Sequence, residues 1–170
     1  MKVGILIENL FNMQEFLYPY YRFIEAGLEP VVIGPEVATY TAEHIGYQHT
    51  SDVAARDVDA SDLAGLIVPG GYAPDRLRRH AEILDIVRSV DGAGKPLGII
   101  CHGSWVGISA QVVKGRRLTA VASTKDDLVN AGADYVEDER VVVEGNLVTA
   151  QSFPDVPAFT KAFLEVLGRA

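Results

Sequence analysis

The sequence is short of the features that ordinarily announce a protein's chemistry. It holds one cysteine in 170 residues, so an intramolecular disulfide is impossible and a cysteine-based zinc site lacks its ligands. Basic residues are outnumbered, with 15 Lys and Arg against 23 Asp and Glu and a net charge of −8. A chain of that sign repels polyanions, which argues against a nucleic-acid surface or an anionic membrane surface and favours small neutral or cationic partners. No apolar run approaches the roughly 20 residues that span a bilayer. No charged segment followed by an apolar stretch and a cleavage site opens the chain, so the cytoplasm is the expected location. Neither a GxxxxGK[ST] loop nor a GxGxxG loop is present, and no serine lies in a GxSxG context. His44 and His49 are not at the spacing of metal ligands on a helix. Neither a metal nor an organic cofactor is expected.

What is present reads as one folded unit. The length suits a single domain over 1–170, and 48% apolar with 22% charged residues is the composition of a globular chain. Lys2–Ile7, Pro30–Ile33, Gly65–Val68 and Pro96–Ile100 are short, nearly unbroken apolar runs, the mark of strands buried on both faces. Between them Phe16, Leu17, Tyr20, Phe23 and Ile24 recur at helical spacing, and a second stripe runs from Pro74 through Leu77, Ile83, Leu84, Val87 and Val90. Trp105 to Val113 predicts a helix closing at Gly115, and Phe159, Phe163, Leu164 and Leu167 predict the last one. Leu118–Ala122 is a candidate short strand, followed by a helix over 127–131. Val141–Val143 and Leu147–Ala150 flank Glu144-Gly145-Asn146 as a hairpin. The stretch 36–62 is read as a small β excursion around Thr39–Thr50 and then a polar loop. Alternating strands and helices predict an α/β sandwich, a mostly parallel sheet with helices on both faces and a small β-hairpin attached.

Reactive groups in such a fold belong beyond the carboxyl ends of the strands. Three of those ends are chemically loaded. The first strand runs towards Glu8 and Glu15, the third into Pro69-Gly70-Gly71, and the fourth into Cys101-His102-Gly103. Cys101 stands between a buried strand and a helix, the placement that lifts a nucleophile above a sheet. A helix N-terminus favours thiolate, so its pKa is expected below the free value of about 8.5. A lone cysteine is otherwise a small buried hydrophobe. His102 is a candidate base, although neighbouring side chains diverge, and the alternative is a histidine satisfying a loop carbonyl. Glu15 and Glu8 compete as the carboxylate over the sheet end, and an ordinary first-turn acid is the alternative for Glu15. Gly70-Gly71 could offer N–H donors to an oxyanion or form only a turn. Asp75, beside Arg76, Arg78 and Arg79, reads as a solvated helix charge unless another subunit uses it.

Taken in order, Glu15 with Tyr18-Pro19-Tyr20, the run Ile67 to Asp75, Ile99-Ile100-Cys101-His102-Gly103, Lys125-Asp126-Asp127, Asn130-Ala131-Gly132 and Val143-Glu144-Gly145-Asn146 resemble the PfpI family of intracellular cysteine peptidases. That family lies within the superfamily of the parkinsonism-associated deglycase and the class I glutamine amidotransferases. The resemblance runs nearly end to end and implies a flavodoxin-like three-layer sandwich. It implies that Cys101 is the nucleophile, that Glu15 holds it ionised through a short hydrogen bond, and that Gly71 and His102 offer backbone N–H groups to an oxyanion. His102 would pair with Asp75 reached across an interface in a dimer or a dimer-built hexamer; Tyr72 and the Arg76–Arg79 helix are candidate interface pieces, with ordinary surface charge as the simpler account of the arginines. The implied activity is that of a cysteine hydrolase acting on peptides, or on glyoxal and methylglyoxal and their protein adducts. The alternative is a stress-linked redox sensor or chaperone whose Cys101 is oxidised without turnover, and a third reading leaves Cys101 inert and buried.

Overall fold

A computed structural model describes residues 1–169. In chain order its elements are β1 (Lys2–Leu6), α1 (Met13–Glu25), β2 (Glu29–Gly34), β3 (Thr39–Thr41), β4 (Gln48–Thr50), β5 (Val53–Ala54), β6 (Leu63–Val68), α2 (Ala73–Leu77), α3 (Ala81–Gly92) and β7 (Leu97–Ile100). There follow α4 (Ser104–Ser109), β8 (Arg117–Leu118), α5 (Lys125–Asn130), β9 (Asp134–Tyr135), β10 (Val141–Glu144), β11 (Leu147–Ala150) and α6 (Val156–Val166). Seven strands form one sheet in the order β10-β11-β7-β6-β1-β2-β5, parallel throughout except where β10 runs against β11. The apolar runs therefore become central strands because both of their faces are covered.

The coverage is visible at consecutive residues of β7. A methyl on Gly98 would strike the Phe159 and Phe163 rings of α6, whereas Ile99 on the other face meets Gly107 of α4. On the first face α1 joins α6 through Phe23 and Phe163, whose rings lie 5.5 Å apart. On the second face α3 and α4 pack together over β6 and β7. Among the described residues no helix is long and apolar enough to cross a membrane.

Several elements differ from the sequence reading: Val53–Ala54, inside the stretch read as a polar loop, is the edge strand β5 paired with β2, and others differ for local reasons. The stripe from Pro74 to Val90 is two helices, because Arg78 closes α2 and His80 is extended (φ −102°, ψ 115°) before α3. The six-residue gap from Leu77 to Ile83 already breaks the 3–4 spacing of one continuous helix. Helix α4 stops at Ser109 rather than near Gly115, with Gln111 in the left-handed region (φ 62°). Strand β8 has two residues and pairs with β9 outside the main sheet. The β10–β11 hairpin is no appendage: β11 pairs in parallel with β7 and completes the sheet. Asn146 in its turn sets that register by donating to Lys95 O at 3.0 Å and accepting Leu97 N through its carbonyl at 2.9 Å.

Candidate active site

Cys101 leaves β7 with φ 58°, one of four non-glycine residues with positive φ among those described. That strained turn lets a three-residue 3₁₀ turn, Cys101–Gly103, follow the strand without a loop and present the side chain at the sheet's carboxyl end. Glycine is required beside it. A Cβ on Gly103 would sit 2.5 Å from Val68 O, and one on Gly70 would sit 2.7 Å from both Cys101 Cβ and Glu15 Oε2. The turn after β6 and the turn after β7 are thus pressed together, and the sulfur lies at their junction.

Glu15 reaches the same junction from α1. Asn12 caps that helix, its Oδ1 accepting from Gln14 N and Glu15 N at 3.1 Å each, and so fixes the first turn over the sheet end. The Glu15 side chain is fully buried, and Oε2 accepts from Gly70 N at 2.7 Å. Oε1 has no hydrogen-bond partner. Burial pushes this carboxyl up to about 7, against the opposing pull of its bonds to Gly70 and to the Cys101 thiol. Glu8, the rival carboxylate, is turned elsewhere: its Oε1 accepts from Asn9 N at 2.6 Å and Asn9 Nδ2 at 3.0 Å.

The environment of the sulfur reverses the expected acidity. Burial first, and the Glu15 carboxylate second, push the Cys101 thiol up to about 12, while backbone N–H groups of His102 and Gly71 pull the other way. The 3₁₀ turn and the six-residue α4 behind it are too short a dipole to outweigh desolvation. At neutral pH the resting group is a thiol, and its ionisation needs a base within the site.

A base is in place. His102 Nδ1 lies 3.4 Å from Cys101 Sγ, so the adjacent side chains converge where extended backbone would have spread them. Desolvation lowers the His102 pKa, which keeps the imidazole neutral and able to accept a proton. Its ring lies 4.8 Å from that of Trp105, which in turn meets Tyr72 edge-on at 6.4 Å. Glu43, in the loop after β3, donates negative potential to both His102 and Glu15 and is held by Asn12 Nδ2 at 2.9 Å.

Cys101, His102, Glu15 and Gly71 are therefore brought together, and the two N–H groups expected at an oxyanion converge on the sulfur. Asp75 is not brought to His102 within the chain: its carboxylate is bonded to Arg79, and His102 Nε2 is bonded to Ser123 Oγ at 3.1 Å. Ser123 and Glu43 escaped the sequence reading. Neither lies in a motif, and the fold alone brings them across 21 residues and more.

A family model described as the DJ-1/PfpI family matches residues 1–166. The chain belongs to the DJ-1/PfpI family. It is 42% identical over 169 residues to an uncharacterized protein of Archaeoglobus fulgidus, with 99% of each chain covered. It is 38% identical over 167 residues to a deglycase of Pyrococcus horikoshii, covering 98% of this chain and 99% of that one. Among solved structures, a two-domain Anabaena variabilis protein with DJ-1/ThiJ/PfpI-like and ferritin-like domains superposes with a TM-score of 0.95 at 35% identity. That match covers 98% of this chain and 48% of the longer one. The mostly parallel, helix-covered sheet is the fold of this family, as the sequence resemblance implied.

Proposed function

We propose that this protein is a cytoplasmic cysteine-dependent hydrolase of the deglycase type. The observation that carries the reading is the convergence on one sulfur of an imidazole nitrogen at 3.4 Å, a buried carboxyl, and the Gly71 and His102 N–H groups. In the first step Cys101 Sγ bonds to an electrophilic carbonyl carbon while the thiol proton passes to His102 Nδ1. The carbonyl oxygen becomes an oxyanion, for which the two backbone N–H groups are the donors. With a free dicarbonyl that oxygen takes the proton back, giving a hemithioacetal; moving its C1 proton to C2 and its hydroxyl proton to the C2 oxygen makes a 2-hydroxyacyl thioester, which water cleaves to the hydroxy acid and the free thiol. With an amide the departing nitrogen takes it, and water then releases the acyl group from sulfur; with a carbinolamine adduct on a protein the amine departs with the proton and leaves the same hemithioacetal. Glu15, close to half protonated near pH 7, can hydrogen-bond the sulfur when it carries charge.

Glyoxal, methylglyoxal and their protein adducts are the substrates this site fits first, with peptides second. The aromatic rim of Tyr72, Trp105 and His102 suits a small uncharged carbonyl, and Glu15 and Glu43 disfavour an anionic one. The deglycase relative supports turnover over oxidation of the same sulfur. The test uses the lone thiol: carbamidomethylation of Cys101, followed by mass, is expected to abolish methylglyoxal consumption in proportion to labelling, and Cys101→Ala to abolish it outright. Retained consumption in either case overturns the proposal.

Assembly as a dimer or a hexamer belongs to the same reading: within the chain the Asp75 carboxylate is bonded to Arg79 and does not reach His102, so any part it plays is on the imidazole of another copy. Sedimentation velocity at micromolar concentration is expected to show an oligomer. A monomer with full activity removes Asp75 from the reaction.

A further inference from the structure

An imidazole acts as a base through the nitrogen that lacks the proton, so what binds the other nitrogen decides whether it works. In this chain both nitrogens of His102 are engaged. Nδ1 faces Cys101 Sγ at 3.4 Å, and Nε2 faces Ser123 Oγ at 3.1 Å. If the ring proton sits on Nε2 it is donated to the serine oxygen, and the Nδ1 lone pair is turned to the thiol. The opposite tautomer would donate Nδ1–H to Sγ, a weak acceptor, take its second bond from the serine hydroxyl, and leave no lone pair facing the thiol.

We propose that Ser123 is a positioning residue for the proton transfer, accepting from His102 Nε2–H and so reserving Nδ1 as the base for Cys101. The inference rests on the hydrolase reading above and names its third member. The balance is one proton: it leaves Sγ, arrives at Nδ1, and the Nε2–H bond to Ser123 is retained as the imidazole becomes an imidazolium. A serine oxygen can hold that bond in both states while its own hydrogen turns to solvent.

The serine is held in place by its neighbours. The 3₁₀ turn Ala122–Thr124 carries it, and the fully buried Thr124 accepts from Ser104 Oγ at 3.2 Å and donates to Val121 O at 2.9 Å. Trp105, against which the imidazole rests, is fixed by its Nε1 bond to Asp127 Oδ2 at 3.0 Å. The turn is thereby docked on the start of α4, the same element that follows His102. The charged or titratable groups that face the imidazole are Glu43, from the loop after β3, and Cys101 with Glu15 behind it. Neither carboxylate occupies a ring nitrogen. A carboxylate arriving from another copy would have to displace Ser123 to reach Nε2.

The experiment measures two rates for the wild type, Ser123→Ala and Ser123→Thr between pH 5.5 and 9: carbamidomethylation of Cys101 and methylglyoxal turnover. Ser123 is exposed, so all three proteins are expected to fold alike, which the thermal midpoint checks. Wild-type labelling is expected to level off once His102 is neutral. Ser123→Ala is expected to lower labelling and kcat together by about three- to tenfold, the factor that one neutral hydrogen bond contributes, with KM unchanged. Ser123→Thr restores both. An alanine variant that matches the wild type in both rates overturns the inference while leaving the hydrolase reading intact. So does a loss in Asp75→Asn with none in Ser123→Ala, which returns the role to the acid. Wild-type labelling that only climbs towards the thiol's own ionisation shows that no base assists, and overturns both readings.

Discussion

Glu15→Gln is expected to make the protein more stable at pH 8 and, at the same time, about tenfold or more slower, the worth of one hydrogen bond to a charged sulfur. The carboxyl is fully buried with one oxygen unpartnered, and burial raises its pKa from 4.5 to about 7. A folded-state pKa above the unfolded one means that the native protein holds the proton more tightly. The stability this contributes is complete below pH 4.5 and is lost as pH rises through about 7. By pH 8 the cost of the buried charge is ~3 kcal/mol. Glutamine keeps an acceptor for Gly70 N and carries no charge. The two proteins are therefore expected to unfold at similar urea concentrations near pH 4 and to separate progressively towards pH 8, the variant becoming the more stable. A constant difference across that range would show that Glu15 does not titrate on folding. The Cys101 thiol should respond in the opposite sense to turnover: without the Glu15 carboxylate only burial is left to push it up, so it labels faster at pH 8 while catalysis falls.

The acidity of that thiol shows where a linear sequence stops informing. The position of Cys101 was legible, because an apolar run that ends in Cys-His-Gly before a helical stripe can only turn at the cysteine. Its environment was not, because burial is a sum over residues distant in the chain. The sequence displays the helix that would lower the pKa and hides the carboxylate and dry packing that raise it. The residues alone leave Glu8 and Glu15 open for a related reason. Both stand near the end of β1, and only the Asn12 cap and the Gly70 N–H select one of them. The strands were read correctly wherever both faces are covered, since continuous apolar runs need no knowledge of partners. The hairpin was read as a hairpin, but its attachment to β7 depends on Asn146 and a contact 51 residues away. Ser123 and Glu43 lay beyond reach, being ordinary polar residues until the fold sets them beside His102.

Gly71→Ala is expected to cost about 3 kcal/mol of stability and to lower turnover by at least about a hundredfold. Gly71 has φ +76°, and an added Cβ would lie 2.4 Å from Leu10 O and 2.6 Å from Asn12 N. Both are backbone atoms, and the segment that bears them is tied down. Tyr72 N and Ala73 N donate to Leu10 O at 2.8 and 3.1 Å, and Asn12 N donates to Gly70 O at 3.2 Å. The methyl group must therefore push residues 10–12 outward. Asn12 caps α1, so the displacement is passed to Glu15, and the Gly71 N–H leaves the sulfur in the same movement. Gly27→Ala provides the comparison. Its φ of +71° is nearly the same, yet a Cβ there has nothing within 4 Å. That variant loses only the left-handed preference, about 1 kcal/mol, and lies at the far end of α1 with turnover unchanged. Equal urea midpoints for the two variants would mean that backbone conformation alone requires glycine at position 71. A midpoint markedly lower for Gly71→Ala, accompanied by loss of turnover, ties the requirement to the close approach on which the geometry around Cys101 depends.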